Sequence, residues 1–262
     1  MKLTERLRSD YGRLFDTCII RENRTAEVES IVGAMVSNLR RYQQVADVLE
    51  MPWFVISVIH LMEASLRFDR HLHNGDPLTE RTTHVPPGRP RKGTPPFTWE
   101  ESATDALRLE RMDRWSDWSV PGTLYKLEGY NGWGYRKYHP EVLSPYLWSG
   151  SNHYTRGKYV ADGTFSNSAV SRQIGAAVVL RRMAEKDLAV FDPEPETPFA
   201  ENAMPFLRYA PQEKSAHANA LQTFLNTLPG IYVKVDGYAG DKTSEAFKRA
   251  AGYYLHGDSR SD

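Results

Sequence analysis

The chain has 262 residues and a mass of 29.9 kDa, which fits one main domain with a small second one. Its 33 basic and 33 acidic residues give a formal net charge of zero, so the overall charge attracts neither nucleic acid nor an anionic membrane. A single cysteine excludes an intramolecular disulfide. The N-terminus lacks the apolar core of a secretory signal, and no run is long enough to span a membrane. We therefore expect synthesis in the cytoplasm.

The first third of the chain has the spacing of α-helices. Residues 26–50 carry apolar side chains at intervals of three and four with charged residues between them, which predicts one or two amphipathic helices. Residues 51–62 contain no formal charge, and Pro52 suits the start of a helix. This segment is too short to cross a bilayer and is predicted to be a buried helix.

The pattern changes after Phe68. Turn-forming residues and prolines predict a long loop or extended excursion as far as residue 96. Helical spacing returns over 99–112 and again over 168–188. Between these two helices lies a segment rich in Gly, Tyr and Trp, and no single period applies over residues 130–165.

Prolines at residues 193, 195 and 198 favour an extended connection. We place a main domain at residues 1–190, a linker at 191–212 and a small module at 213–258. The helical patterns of the main domain predict a mainly α fold with a small β component.

Glu63 is the candidate acid. It lies at the end of the apolar helical segment and shares a face with apolar residues such as Trp53 and Ile56. Partial burial disfavours the charged form of a carboxyl group and raises its pKa, as a general acid for glycosidic cleavage requires near neutral pH. A surface position where the helix emerges from the core is the structural alternative.

Two short segments resemble the lysozyme superfamily. Ile59-His-Leu-Met-Glu63-Ala-Ser-Leu-Arg-Phe68 is similar to the end of the catalytic helix of goose-type lysozymes and lytic transglycosylases, and Tyr130-Asn131-Gly132 resembles the motif that lines their sugar cleft. The resemblance implies a lysozyme-like fold, Glu63 as the acid, and Tyr130 and Asn131 as saccharide contacts. The loop after Glu63 departs from the goose-type pattern, so no detailed mechanism is carried over.

A glycosidase that uses water needs a second carboxylate, whereas a transglycosylase can use assistance from its substrate. The candidates are Asp69, Asp76 and Asp162, and Asp76 in the turn-rich loop is preferred, with Thr82 or Thr83 to orient water. The alternative for Asp76 is turn formation within Asn74-Gly-Asp-Pro77.

The aromatic middle of the chain suits a saccharide cleft, because rings stack on sugar faces and polar groups satisfy sugar hydroxyls. The segments 144–150 and 158–163 are the preferred walls of this cleft. We therefore add Trp148, Tyr159 and Asp162 to the substrate-binding residues. The alternative is that many of these rings only pack the loops.

The C-terminal segment resembles the peptidoglycan-binding module of wall hydrolases. The shared features are a leucine-containing helix near residues 220–228, the turn Val235-Asp-Gly-Tyr-Ala-Gly240 and the sequence Thr243-Ser-Glu-Ala-Phe247. The resemblance implies a three-helix module that holds the cell wall. Lys248 departs from the pattern, which has glutamine there.

Together these features predict an endolysin-like muramidase, a glycoside hydrolase that cuts the peptidoglycan strand between N-acetylmuramic acid and N-acetylglucosamine and needs no cofactor. We expect a monomer that reaches the wall after release or export. One alternative is a zinc-dependent amidase or peptidase with ligands drawn from a histidine-rich stretch (His60, Asp69, His71, His73, Asp76, His84). The other is a non-catalytic wall-binding protein.

Overall fold

In a computed structural model, residues 1–161, 163–194 and 207–260 are described. The chain divides into two compact units, Met1–Pro195 and Glu196–Asp262. This division falls inside the predicted linker at 191–212, of which residues 195–206 lie outside the described part of the chain.

The described residues are mainly helical, as predicted. The α-helices are α1 (Glu5–Asp16), α2 (Thr25–Ser37), α3 (Leu39–Leu49), α4 (Trp53–Ala64), α5 (Trp99–Leu109), α6 (Val120–Asn131), α7 (Gly134–Tyr138), α8 (Pro145–Trp148), α9 (Ala176–Glu185), α10 (Ala216–Leu225) and α11 (Asp241–Ala251). Short 3₁₀ turns cover Glu22–Arg24 and Met112–Arg114.

The strands form two small antiparallel pairs. They are β1 (Lys158–Ala161) with β2 (Thr164–Ser166), and β3 (Ala210–Lys214) with β4 (Tyr238–Ala239). In the first pair Tyr159 lies opposite Phe165.

The centre of the first unit is α4. Every residue from Phe54 to Leu61 is buried, and the helix packs between α3 and α9. Its uncharged sequence explains this position, since no side chain in the run needs water. The predicted buried helix is confirmed, with Pro52 as its N-cap.

Other helices of the first unit surround this core. The region 26–50 forms two helices, α2 and α3, and α1 packs its buried face against α6. No single helix in the described residues is long and apolar enough to span a membrane. Only α3 and α4 taken together have the length and apolar composition of a span, and the chain bends by 112° between them.

The helix predicted over 168–188 is shorter in the structure, where α9 begins at Ala176. The preceding residues run past α8 in irregular conformation. A Cβ at Gly175 would lie 2.3 Å from the carbonyl oxygen of Leu147, and Gln173 uses its amide on the carbonyls of Leu61 and Met62. Close packing against two other helices therefore overrides the local helical pattern.

Helix α6 lies mostly in the part of the Gly-, Tyr- and Trp-rich segment that precedes residue 130, where no helix was predicted. Ser119 caps it by accepting a hydrogen bond from the amide of Gly122, and a proline occupies its first turn. Its glycines weaken the helical pattern, but burial of Leu124 and Leu127 stabilises the helix within the core.

The second unit is built around Gln222. This buried side chain donates to Asp236, to the carbonyl of Tyr238 and to Thr243, and its oxygen accepts from the amides of Asp236 and Gly237. These bonds hold the Val-Asp-Gly turn against α10 and the first turn of α11.

The described residues of this unit contain two α-helices instead of the three expected. After α10, Pro229 and Gly230 end the helical pattern, and Gly230 has a φ of 77°. The side chain of Asn226 then binds both the amide and the carbonyl of Val233, which keeps this stretch extended.

Candidate active site

The carboxylate of Glu63 lies near the end of α4. Ser65 and Leu66 both take left-handed conformations, with φ of 50° and 59°, so the chain turns away directly after the helix. The amides of these two residues bond back to the carbonyls of Leu61 and His60. These bonds hold the last turn of α4, which carries Glu63. The side chain of Glu63 is half-buried, and the rest of the helix lies in the core.

Glu63 has one hydrogen-bond donor among the described residues. The hydroxyl of Tyr146 donates to Oε1 of Glu63 at 3.1 Å. Burial raises the pKa of Glu63, this hydrogen bond opposes the change, and the negative charge of Glu110 adds to it. The net result is a raised pKa, because one neutral donor does not compensate for lost solvation.

A large cleft adjoins this carboxylate. Its volume is about 640 Å³, which is within the usual range of ligand sites. Glu63 is not part of the cleft wall itself, but its partner Tyr146 is. The wall includes tyrosines and polar side chains: Asn131, Tyr135, Tyr138, Tyr146, Lys158, Tyr159, Ser171 and Gln173.

Gln173 fixes one side of this cleft to α4. Its Nε2 donates to the carbonyl of Met62 at 3.1 Å and lies 3.4 Å from that of Leu61. The segment before α9 and the end of α4 therefore hold a common position next to Glu63.

A second, smaller cavity also borders the end of α6. It has a volume of about 180 Å³ and includes Glu110, Lys126, Tyr130 and Trp133. Burial raises the pKa of Tyr130, and the negative charges of Glu63 and Glu110 add to this effect. The predicted contacts Tyr130 and Asn131 thus face two adjacent cavities, with Asn131 on the larger one.

Tyr159 lies on the wall of the large cleft. Its ring packs edge-on against Tyr135 and Phe165, with centroids 5.3 Å apart in each pair. The hydroxyl of Tyr135 accepts a hydrogen bond from the Tyr159 amide at 3.3 Å. The β1–β2 hairpin is thereby attached to α7. The predicted contact Asp162 lies outside the described residues.

Trp148 occupies a different environment from the one expected of a sugar platform. Its side chain is 1% exposed and belongs to the hydrophobic core of the first unit. It borders a cavity of about 80 Å³, below the size of ordinary ligand sites. The ring of Trp148 is therefore core packing and offers no open face to a saccharide.

Asp76 has almost all of its hydrogen-bonding capacity in use. One oxygen lies 2.7 Å from Nδ1 of His84, and the other accepts from the amides of Thr83 and His84 and from the Asn74 side chain. Burial alone would raise the pKa of Asp76, but these donors lower it well below the usual range. This geometry favours the turn-forming role over a role in activating water.

The other candidates in this loop are also engaged. Asp69 forms ion pairs with Arg67 at 2.9 Å and Arg70 at 3.6 Å. The hydroxyl of Thr82 donates to the carbonyl of Pro86 and accepts from the amide of Arg89. These groups hold the loop's own backbone and side chains together.

The histidines proposed as zinc ligands have separate partners. His60 is buried beside Tyr42, and burial lowers its pKa to about 4. His71 bonds to Ser102 and to the carbonyl of Glu80, while His73 pairs with Asp105. Within the described ranges no group of three His, Cys, Asp or Glu side chains has the geometry of a metal site.

Sequence reasoning missed three side chains around Glu63. Tyr146 lay in a segment predicted to form a cleft wall, but nothing in the sequence paired it with a glutamate 83 positions earlier. Gln173 was expected within a helix, and Glu110 follows α5 without any motif. All three depend on long-range packing, for which the local sequence carries no signal.

Comparison of the chain with protein-family models, curated proteins and solved structures gives no match.

Proposed function

We propose that this chain cleaves the glycan strand of bacterial peptidoglycan between N-acetylmuramic acid and N-acetylglucosamine, with Glu63 as general acid. The observation that carries the proposal is a half-buried carboxyl group of raised pKa, held by Tyr146 at the edge of a large tyrosine-lined cleft. The lysozyme-like architecture of the first unit is part of this proposal and rests on the resemblance of the Glu63 and Tyr130-Asn131 segments.

The chemistry follows from the state of Glu63. A raised pKa keeps a larger fraction of the carboxyl protonated near neutral pH, so that it can give its proton to the glycosidic oxygen as the bond to the anomeric carbon breaks. Tyr146 holds Oε1 and leaves the other oxygen available for this transfer. The tyrosine rings of the cleft supply flat apolar faces for sugars, and Asn131 supplies amide hydrogen bonds.

Binding of the wall by the second unit is the other part of the proposal. Several of its aromatic rings are exposed, including Phe224, Tyr232 and Tyr253. Lys248, which departs from the resembling module, lies 4.2 Å from the ring centre of Tyr254 and is therefore part of a cation–π contact. Exposed aromatic rings suit stacking on the sugars of a carbohydrate polymer.

The test is degradation of purified peptidoglycan by the wild-type chain and Glu63→Gln, followed by turbidity and product mass spectrometry. Glu80→Gln, an exposed glutamate in the following loop, is the matched control. We expect saccharide fragments from the wild type and the control and none from Glu63→Gln. Full activity of Glu63→Gln overturns the proposal. Release of peptides that a chelator blocks assigns the activity to a metal-dependent amidase or peptidase.

A further inference from the structure

The wall of the large cleft carries a positive charge on Lys158. The other described residues of this wall are glycines or have aromatic, amide, hydroxyl-bearing or aliphatic side chains, and none of them is formally charged at neutral pH. Burial raises the pKa of Tyr135 and Tyr146, which keeps these two hydroxyls neutral. Glu63 adjoins the wall through Tyr146 and is uncharged when it acts as the proposed acid. The described wall therefore offers a ligand a cation without a balancing carboxylate.

The backbone holds Lys158 at a fixed place on this wall. Lys158 is the first residue of β1, which pairs with β2. Before it, the amide of Gly157 donates to the carbonyl of Ala169 at 2.8 Å. After it, the amide of Tyr159 donates to the hydroxyl of Tyr135 at 3.3 Å. The start of the hairpin is thus joined to the segment before α9 and to α7, two parts of the chain that also line the cleft.

Lys158 differs from Lys126, which is the other half-buried lysine, in its surroundings. The remaining lysines are exposed. Lys126 lies 5.6 Å from the ring centre of Trp115, and burial lowers its pKa while the negative charges of Glu110 and Asp113 oppose this change. No hydrogen bond, ion pair or ring contact within the described part of the chain engages the ammonium group of Lys158. A half-buried ammonium group has lost part of its solvation, and an acidic group on a ligand compensates for this loss.

The two sugars of the proposed substrate differ in charge. N-acetylmuramic acid has a lactyl group, whose carboxylate is free in peptide-free glycan and carries a peptide with its own carboxylates in intact peptidoglycan. N-acetylglucosamine is neutral. The tyrosine rings and the amide of Asn131 can contact either sugar, because both sugars have the same ring and acetamido group. The ammonium group of Lys158 can distinguish them, since it forms charge-assisted hydrogen bonds with a carboxylate.

We propose that Lys158 is a specificity-determining residue, which binds a carboxylate of the N-acetylmuramic acid unit and makes the cleft selective for acidic glycan. The inference rests on the proposed function. Lys158 takes no part in the proton transfer from Glu63, so its ion pair stabilises the bound substrate and the transition state alike. Such uniform binding lowers KM and leaves kcat nearly unchanged.

The test measures kcat and KM on three soluble glycan strands: peptide-bearing, peptide-free with free lactyl carboxylates, and peptide-free with these carboxylates converted to neutral methyl amides. A charged hydrogen bond contributes about 10- to 100-fold to binding. We expect Lys158→Met to raise KM by this factor on acidic strands and to cleave the neutral strand as wild type does. Lys158→Arg keeps the charge and should retain most of the activity. Lys137→Met, an exposed lysine of α7 outside the cleft wall, is the matched control and should change KM by no more than about twofold.

The three strands identify the carboxylate. A loss on the peptide-free acidic strand places it on the lactyl group, and a loss confined to the peptide-bearing strand places it on the peptide. Both results support the inference. Lys158→Met that keeps the wild-type preference for both acidic strands over the neutral one overturns it, even when Glu63→Gln is inactive. Equal losses on all three strands also overturn it, because they show an effect on the shape of the cleft instead of its charge. A wild-type chain that leaves every strand intact overturns the proposed function first.

Discussion

The end of α4 and the loop that follows it each hold a carboxylate with restricted access to water, but the two carboxylates have opposite properties. Glu63 receives one hydrogen bond from a neutral tyrosine, and its pKa is raised. Asp76 is hydrogen-bonded to two backbone amides and to the side chains of Asn74, Thr83 and His84, and its pKa is lowered. Burial acts in the same direction on both, so the number of donors decides whether the pKa of the carboxyl group is raised or lowered.

The difference assigns separate tasks to the two regions. A carboxyl group with few donors is poorly solvated and reactive as an acid, whereas a carboxylate surrounded by donors stabilises the backbone that supplies them. In the loop, Asp76 satisfies the amides of Thr83 and His84, which have no strand or helix to bond to. The second catalytic carboxylate predicted at Asp76 stays a prediction, and the following experiments compare it with Glu63.

The largest expected effect is on turnover. Glu63→Gln removes the proton that the leaving group needs, and we expect kcat to fall by about 10²–10⁴-fold. Asp76→Asn keeps the size of the side chain and should retain most of the wild-type kcat if Asp76 only forms turns. Initial rates of muropeptide release measure both. Equal losses of kcat in the two well-folded variants would contradict separate roles for Glu63 as an acid and Asp76 in turn formation.

The next effect is on stability. Asp76→Asn weakens several buried hydrogen bonds to a charged acceptor, and we expect a cost of about 1–3 kcal/mol in the free energy of unfolding near pH 7. Because the pKa of Asp76 is lowered in the folded state, its stabilisation is present above the ordinary aspartate range and disappears as pH falls below about 4. Denaturant unfolding at neutral and acidic pH checks this. A difference that persists undiminished at low pH would refute the electrostatic origin.

The sequence predicts those properties of Glu63 and Asp76 that depend on contacts between residues close together in the chain. An uncharged helical segment that ends near Glu63 predicts partial burial of this carboxyl group, and Glu63 is half-buried in the structure. The turn chemistry of Asn74 and Asp76 is also local and is present as the hydrogen bond from the Asp76 amide to the Asn74 side chain. Helical spacing similarly predicts α2, α3 and α5 to within a few residues.

Other features depend on residues distant in the chain. Trp148 has the kind of aromatic ring that stacks on sugars, yet packing of α8 against α9 buries it. Two groups from outside α4 act on Glu63: Tyr146 of α8 donates a hydrogen bond to it, and the charge of Glu110 raises its pKa. No motif in the sequence predicts either of them. A single sequence indicates which groups can react but not which neighbouring residues shift the pKa of those groups.

The third effect is on the pH dependence of the free energy of unfolding. Ionisation of Glu63 lowers this free energy, whereas ionisation of Asp76 raises it. Because the pKa of Glu63 is raised on folding, its ionisation favours the unfolded state, and the protein loses stability as pH rises from the ordinary glutamate range through the folded pKa. Glu63→Gln removes this loss, so it should be as stable as wild type at low pH and more stable at neutral pH. Thermal unfolding at several pH values measures the difference, with Glu80→Gln as the control. A variant less stable than wild type at neutral pH would contradict the burial of an uncompensated carboxyl group.

The smallest effect is a shift in the pH profile caused by Tyr146→Phe. The Tyr146 hydroxyl donates to Glu63 and favours the carboxylate, so its removal should raise the pKa of Glu63 further. Since the acid must be protonated to react, the alkaline limb of kcat against pH should move to higher pH. Tyr138→Phe, on the same cleft but highly exposed, is the control for lost contact with the sugar and should leave the limb in place.

This last comparison separates two roles that a single rate cannot distinguish. If Tyr146 served only to bind the saccharide, both variants would raise KM without moving the limb, because neither would change the solvation of Glu63. If Tyr146 sets the proton affinity of the acid, kcat for Tyr146→Phe measured below the limb stays near that of wild type while activity extends to more alkaline pH. A shift of the limb to lower pH would mean that the hydroxyl stabilises the protonated carboxyl, the reverse of the charge balance inferred at the end of α4.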